Sequence, residues 1–168
     1  MRKWGLALVI AILVFSSSAA AAEADDLQIT VEAAGILSPG ADAIRRDATV
    51  PGGYETYIPS AVVSRITDTI PAVRGTSFGV RFTIRGLPAS TTVRLRKVVR
   101  HPVMKRPDGT TSTGYETTID LPVDHEGAAA ATEGYGLDED FELLPGHWSI
   151  EIWLGERRLL SETFSLVQ

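Results

Sequence analysis

Between Thr69 and Pro107 the chain carries Arg74, Arg81, Arg85, Arg94, Arg96, Lys97, Arg100, Lys105 and Arg106 without one Asp or Glu, and beyond Asp108 the balance reverses. Alternation within "SFGVRFTIRG" and "TVRLRKVV" turns Arg81, Arg85, Arg94 and Arg96 to solvent. If the two strands are neighbours, the four share one face, where like charges repel unless something negative sits opposite. The chemistry that suits such a face is docking of an anionic partner: an acidic polysaccharide, lipid headgroups or an acidic protein surface, with Trp153 as a stacking platform. The competing reading is internal pairing, with Glu116, Asp120, Glu142 or Glu151 as neighbours, in exposed pairs worth about 0–1 kcal/mol each.

Other residues with chemical potential fall short of a pattern. The run "LDEDFE" lacks the ligand spacing and glycine of a loop-type calcium site and reads as a solvated turn. His101, His125 and His147 lie on separate elements with no pair at metal-binding spacing, so no metal site and no cofactor are expected. There is no cysteine, which removes thiol catalysis, disulfides and a lipoprotein anchor, and there is no Ser–Lys motif. Paired carboxylates converge in space and not in sequence, so a small hydrolase of envelope polymers using Asp138, Glu139, Asp140 and Glu142 stands as a second reading.

The elements that must position these residues are strands. Strict alternation of Phe78, Val80, Phe82 and Ile84 with Arg81, Thr83 and Arg85 marks one strand with a buried face. Val93 and Leu95 point inward in the next, and the alternation slips after Lys97, which predicts a bulge over Lys97–Val99. "RPDGT" is a turn built on Pro107, Asp108 and Gly109 that leads into "GYETTIDL". "LQITVEA" sets Leu27, Ile29, Val31 and Ala33 on one side of a first strand. Residues 38–60, rich in proline and glycine, read as a long loop with a short edge strand over Tyr54–Ile58. Asp124 to Gly136, small and acidic, reads as a loop with one helical turn.

The closing stretch "ELLPGHWSIEIWLGERRLLSETFSLV" is a hairpin with Trp148, Ile150, Ile152 and Leu154 on one face, a turn at Gly155–Glu156, and Leu160, Phe164 and Leu166 returning along the inside. Trp148 is inward by phase and Trp153 outward. Tyr135 is expected to donate to a backbone carbonyl as a corner lock. Short strands, regular turns and no helical period predict an all-β, immunoglobulin-like antiparallel sandwich of about seven strands.

Ahead of this domain, Arg2 and Lys3, the apolar run from Trp4 to Phe15 and small residues at Ala20 and Ala22 have the layout of a secretory signal peptide, with cleavage after Ala22 or two residues later. The expectation is one domain over 23–168 in a periplasmic or secreted protein with no membrane span after cleavage. The chain of 168 residues has a formal net charge of −5, and loss of Arg2 and Lys3 makes it more acidic, which argues against nucleic acid as a partner.

The blocks "TIPAVRGTSFGVRFTIRGLP", "VRHPVMKRPDG" and "GYGLDEDFELLPGHWSIEIW", in that order, resemble a bacterial family of exported domains of unknown function. "LLPGHWSI" is similar to the turn entering the sixth strand of immunoglobulin-like and fibronectin-type sandwiches. The resemblance implies a compact exported domain and carries no catalytic residues with it. A noncatalytic binding or structural module is therefore the leading expectation, with the hydrolase and a chaperone-like subunit that lends a strand to a partner as the alternatives.

Overall fold

A computed structural model of the chain describes residues 27–38, 43–46, 54–57 and 61–168. The anticipated signal peptide and its cleavage point lie outside these residues. The strands are β1 (Gln28–Ser38), β2 (Ala43–Arg46), β3 (Tyr54–Tyr57), β4 (Val62–Ile66), β5 (Thr69–Pro71), β6 (Ser77–Arg85), β7 (Thr92–Lys105), β8 (Thr111–Pro122), β9 (Ala128–Gly136), β10 (Gly146–Leu154) and β11 (Arg157–Val167). A four-stranded sheet, ordered β4-β1-β6-β9, and a five-stranded sheet, ordered β5-β11-β10-β7-β8, form the sandwich; β2 and β3 make a separate hairpin within 38–60. The two sheets hold nine strands and not seven, the surplus being the short β4 and β5.

β6 follows its sequence pattern residue for residue: Phe78, Val80, Phe82 and Ile84 are fully buried, and the intervening arginines face out. Phe78 is the aromatic hub. Trp148 meets it edge-on at 5.8 Å and Phe164 at 5.0 Å, so both strands of the closing hairpin pack on β6 across the sandwich. The hairpin turns at Gly155, whose φ of 55° is in the region that favours glycine.

β7 departs from expectation. Its pairing with β8 runs unbroken from Thr92 to Arg100, and the irregularity falls between Arg100 and Met104, so there is no bulge over Lys97–Val99. The phase holds as far as His101 and shifts only before Met104. Val93, Leu95, Lys97, Val99 and His101 all face the core, and the lysine occupies an inward position that the pattern reserves for apolar side chains. Lys97 is tolerated there because Glu133 on the opposite sheet meets it.

The segment expected as a loop with a helical turn is β9, paired with β6 along all nine residues without a register break. Alanine favours helix in isolation, but a backbone that can pair with a buried central strand overrides that preference. Ala129, Glu133 and Tyr135 are buried on its inner side, with Ala131 packed against the core. Glycine is needed at one outer position for a steric reason: Gly35, Gly79 and Gly134 form one row across β1, β6 and β9. A Cβ at Gly134 would stand 2.5 Å from the Phe78 carbonyl oxygen.

β1 also changes phase midway. Val31 lies opposite Phe82 and Ala33 opposite Arg81, so Glu32 is the extra residue of a bulge, and Ala34 and Ile36 continue the core side in place of Ala33.

Candidate docking face

The chain crosses from one sheet to the other between β6 and β7, and this separates the four arginines. Arg81 and Arg85 stand on the outer face of the four-stranded sheet, Arg94 and Arg96 on that of the five-stranded sheet. They do not form one surface. On the first face, Arg81 Nε donates to Glu32 Oε2 at 2.7 Å, and the Thr83 hydroxyl donates to Glu32 Oε1. The hydrogen bond from Thr83, then that from Arg81, holds the Glu32 carboxyl below the usual carboxylate range. Alternation already places Glu32 outward; that it meets Arg81 depends on the pairing of β1 with β6, which alternation within one strand does not contain.

On the second face the outward rows can be read across strands. Arg94 on β7 lies opposite Asp120 on β8 and donates to both carboxylate oxygens, at 2.9 and 3.2 Å. That contact lowers the pKa of Asp120 and raises that of Arg94. Arg96 donates to Glu116 at 3.2 Å. Trp153 on β10 is flanked by Arg96 on β7 and Arg158 on β11, whose guanidinium carbons lie 4.8 and 5.8 Å from the ring centre. Beneath them Glu151, only 6 % exposed, accepts the indole N–H of Trp153 at 2.8 Å and faces Arg100 at 3.4 Å and Arg158 at 4.0 Å. One buried carboxylate thus fixes an indole and two guanidiniums at once. Arg100 and Arg158 join Arg94, Arg96 and Trp153 on this face; their signal is the cross-strand register, which alternation within one strand does not contain. A depression of about 170 Å³ opens beside it, lined by Val98, Arg100, Gly114 and Glu116, below the roughly 300–1,000 Å³ of small-molecule pockets.

The acidic run does not converge. A single 3₁₀ turn, Asp140–Glu142, sends Glu142 inward, where it is 3 % exposed. Its carboxylate accepts the Tyr135 hydroxyl at 2.8 Å and the backbone N–H groups of Asp138 and Glu139 at 2.8 and 2.9 Å. Burial nevertheless raises the Glu142 pKa, and burial pushes the Tyr135 phenol up. Tyr135 is a lock, but its partner is a carboxylate and not the backbone carbonyl expected, and the bonds of Glu142 go to Tyr135 and its own turn instead of to an arginine of the basic strands. Glu139 and Asp140 turn outward to Arg74, at 3.3 and 3.1 Å. The carboxylates therefore fan apart from the turn.

The remaining nucleophile and ligand candidates are dispersed. Gly75–Gly79 has the Gly-x-Ser-x-Gly spacing of a nucleophile elbow, but Ser77 opens β6 within a sheet, with no strand-to-helix turn to lift it. His101 is buried against Trp148 at 4.9 Å, with Nδ1 2.8 Å from the Pro102 carbonyl. His147 sits on β10, and His125 in the turn before β9. Among the described residues no three His, Asp or Glu side chains gather as metal ligands.

A family model described as a domain of unknown function, DUF3859, matches residues 21–166. Among solved structures, an immunoglobulin-like protein from Pseudomonas aeruginosa is similar over 88 % of this chain and 100 % of its own, with 21 % identity and a TM-score of 0.59. That likeness shows the sandwich fold. A DNA glycosylase from Pseudomonas fluorescens (60 % of this chain, 28 % of its own, 14 % identity, TM-score 0.42) and a β-glucosidase from Listeria innocua (62 %, 15 %, 10 %, 0.44) are more distant and carry no argument. No curated protein matches the chain.

Proposed function

We propose, from the premise that the chain belongs to the DUF3859 family of domains of unknown function, that it is an exported, noncatalytic binding module of the cell envelope that docks an anionic partner through the outer face of the five-stranded sheet. The observation that carries this reading is Trp153, held by the buried Glu151 and flanked by Arg96 and Arg158. A guanidinium has five N–H donors, and the ion pairs on this face engage one or two of them. The rest can meet carboxylates or sulfates while the indole takes the face of a sugar ring, so an acidic polysaccharide is the partner class that fits best. Arg81 and Arg85 belong to the opposite surface and have no part in this one. The charged, apolar and small-residue layout of residues 2–22 motivates the export half of the proposal.

The test is calorimetric titration of the purified protein with polygalacturonate and with neutral dextran at low and physiological salt. Binding to the acidic polymer alone, weakened at least tenfold by Arg96→Glu or Trp153→Ala, is expected. Equal affinity for dextran, or affinity that neither substitution alters, would overturn the reading. Export is tested separately: cell fractionation should recover a form beginning at Glu23 or Asp25 outside the cytoplasm, and retention of the full-length chain inside refutes it.

A further inference from the structure

We infer that the open edge of β9 is a strand-addition site for an extended segment of another protein that has small or β-branched residues in its middle and basic residues at both ends. β9 closes the four-stranded sheet and, among the described residues, is paired on one side only, with β6. In an antiparallel strand alternate residues direct both backbone N–H and C=O away from the neighbour, so a nine-residue edge offers about four such residues to an added strand.

The other outermost strands of the two sandwich sheets, β5, β4 and β8, are short or interrupted. β5 has three residues and ends in Pro71. β4 has five, and its register with β1 breaks between Ile36 and Leu37. β8 is interrupted opposite the Arg100–Met104 irregularity, where the Ser112 hydroxyl donates to the Gly114 carbonyl and accepts its N–H, and it ends in Pro122. β9 is neither short nor interrupted; Asp124 bonds the backbone of Ala128 at its start, and Lys97 Nζ reaches the Gly134 carbonyl at 3.5 Å, which leaves the stretch around Ala130 and Thr132 for an added strand. Its register is unbroken, it has no proline, Ala128 at its start is buried, and the outer side then has Ala130, Thr132 and the hydrogens of Gly134 and Gly136. Its single charged residue, Glu133, turns inward to Lys97, so the charge that could protect an edge is spent in the core.

The charges at the two ends select the occupant. Asp124 and Glu126 lie in the turn before β9, and Asp138, Glu139 and Asp140 follow it, with Arg74 paired to the last two. A second copy of this chain would bring acidic turn against acidic turn in either strand orientation, which disfavours self-pairing. A segment with lysine or arginine at both ends removes that repulsion and supplies attraction, while its backbone completes the sheet.

The probe is a fluorescein-labelled peptide, Lys-Lys-Thr-Val-Thr-Val-Thr-Lys-Lys, titrated into the purified protein and followed by anisotropy, with amide exchange read along β9. Saturable binding with slowed exchange confined to Ala130–Gly136 is expected. N-methylation of alternate peptide residues, exchange of the lysines for glutamates, and the paired turn substitution Glu126→Lys with Asp138→Lys should each weaken it at least tenfold, whereas Arg96→Glu should leave it unchanged. No binding, binding that survives N-methylation, or protection of β9 in a concentration-dependent dimer without peptide would each overturn the inference. Both turn substitutions are of exposed side chains, and a thermal melt verifies that the variant is folded.

Discussion

Lys97 Nζ lies 3.1 Å from Glu133 Oε2, joining the two sheets through side chains only 3 % and 8 % exposed. Removing one partner leaves a charge buried and unmatched, which costs about 3–5 kcal/mol, whereas an apolar pair of similar volume is often neutral or stabilising. Lys97→Met and Glu133→Leu should each lower the urea midpoint sharply, and the double variant should recover most of the loss. A double variant as unstable as the sum of the two would show that the side chains do not act as a pair.

Glu142 and Tyr135 make a second buried connection with an opposite pH signature to that of the surface carboxylates. Burial raises the folded pKa of Glu142 above its ordinary value, so the folded state holds its proton more tightly than the unfolded chain does. The stability this contributes is present below the unfolded pKa and is lost as pH rises through the folded one. Relative to Glu142→Gln, the natural protein should lose stability on going upward through that window, measured by denaturant unfolding from about pH 4 to 7. Tyr135→Phe leaves a buried carboxylate with one donor fewer and should cost about 1–3 kcal/mol.

His101 gives the acid side. Burial lowers its pKa, with the positive Arg106 acting in the same direction, and its Nε2 has no hydrogen-bond partner among the described residues. A base with a depressed folded pKa favours folding above its unfolded value near 6.5 and loses that contribution as pH falls toward the folded value. The fall in stability between about pH 7 and 5 should be shallower in His101→Phe, by up to one proton's worth of slope. Identical slopes would show that His101 does not titrate with unfolding.

Gly109 and Gly134 separate backbone conformation from steric need. Gly109 has a φ of 86°, and no atom lies within 4 Å of the position a Cβ would take. Alanine there should cost about 1–2 kcal/mol from the left-handed backbone alone. Gly134→Ala forces a methyl group onto the Phe78 carbonyl and should cost more, at the upper end of the about 1–3 kcal/mol of overpacking. Thermal melts of the two variants rank them.

Much of the architecture is legible because one buried face imposes a period of two. Phe78 to Ile84, Val93 with Leu95, and Trp148 to Ile152 can be assigned their sides from residue types alone, and the Pro107–Gly109 turn follows from local backbone preferences. Where alternation misleads, the cause is shared. Lys97 and Val98 resemble a slipped register only while polarity is equated with orientation, yet a lysine can point inward when a carboxylate on the other sheet answers it. Ala128–Ala131 resembles a loop because its strand partner, Thr83 and its neighbours on β6, lies far away in sequence.

The same division holds for the candidate site. Side chains alternate along a strand by covalent geometry, so the sequence by itself determined that Arg81, Arg85, Arg94, Arg96 and Trp153 face outward. Which outward side chains become neighbours depends on strand order and register, and only the tertiary structure decided that β6 and β7 lie in different sheets and that Arg96 and Arg158 flank Trp153. Neighbourhood across strands is set by pairing over long sequence separation, and no local period encodes it.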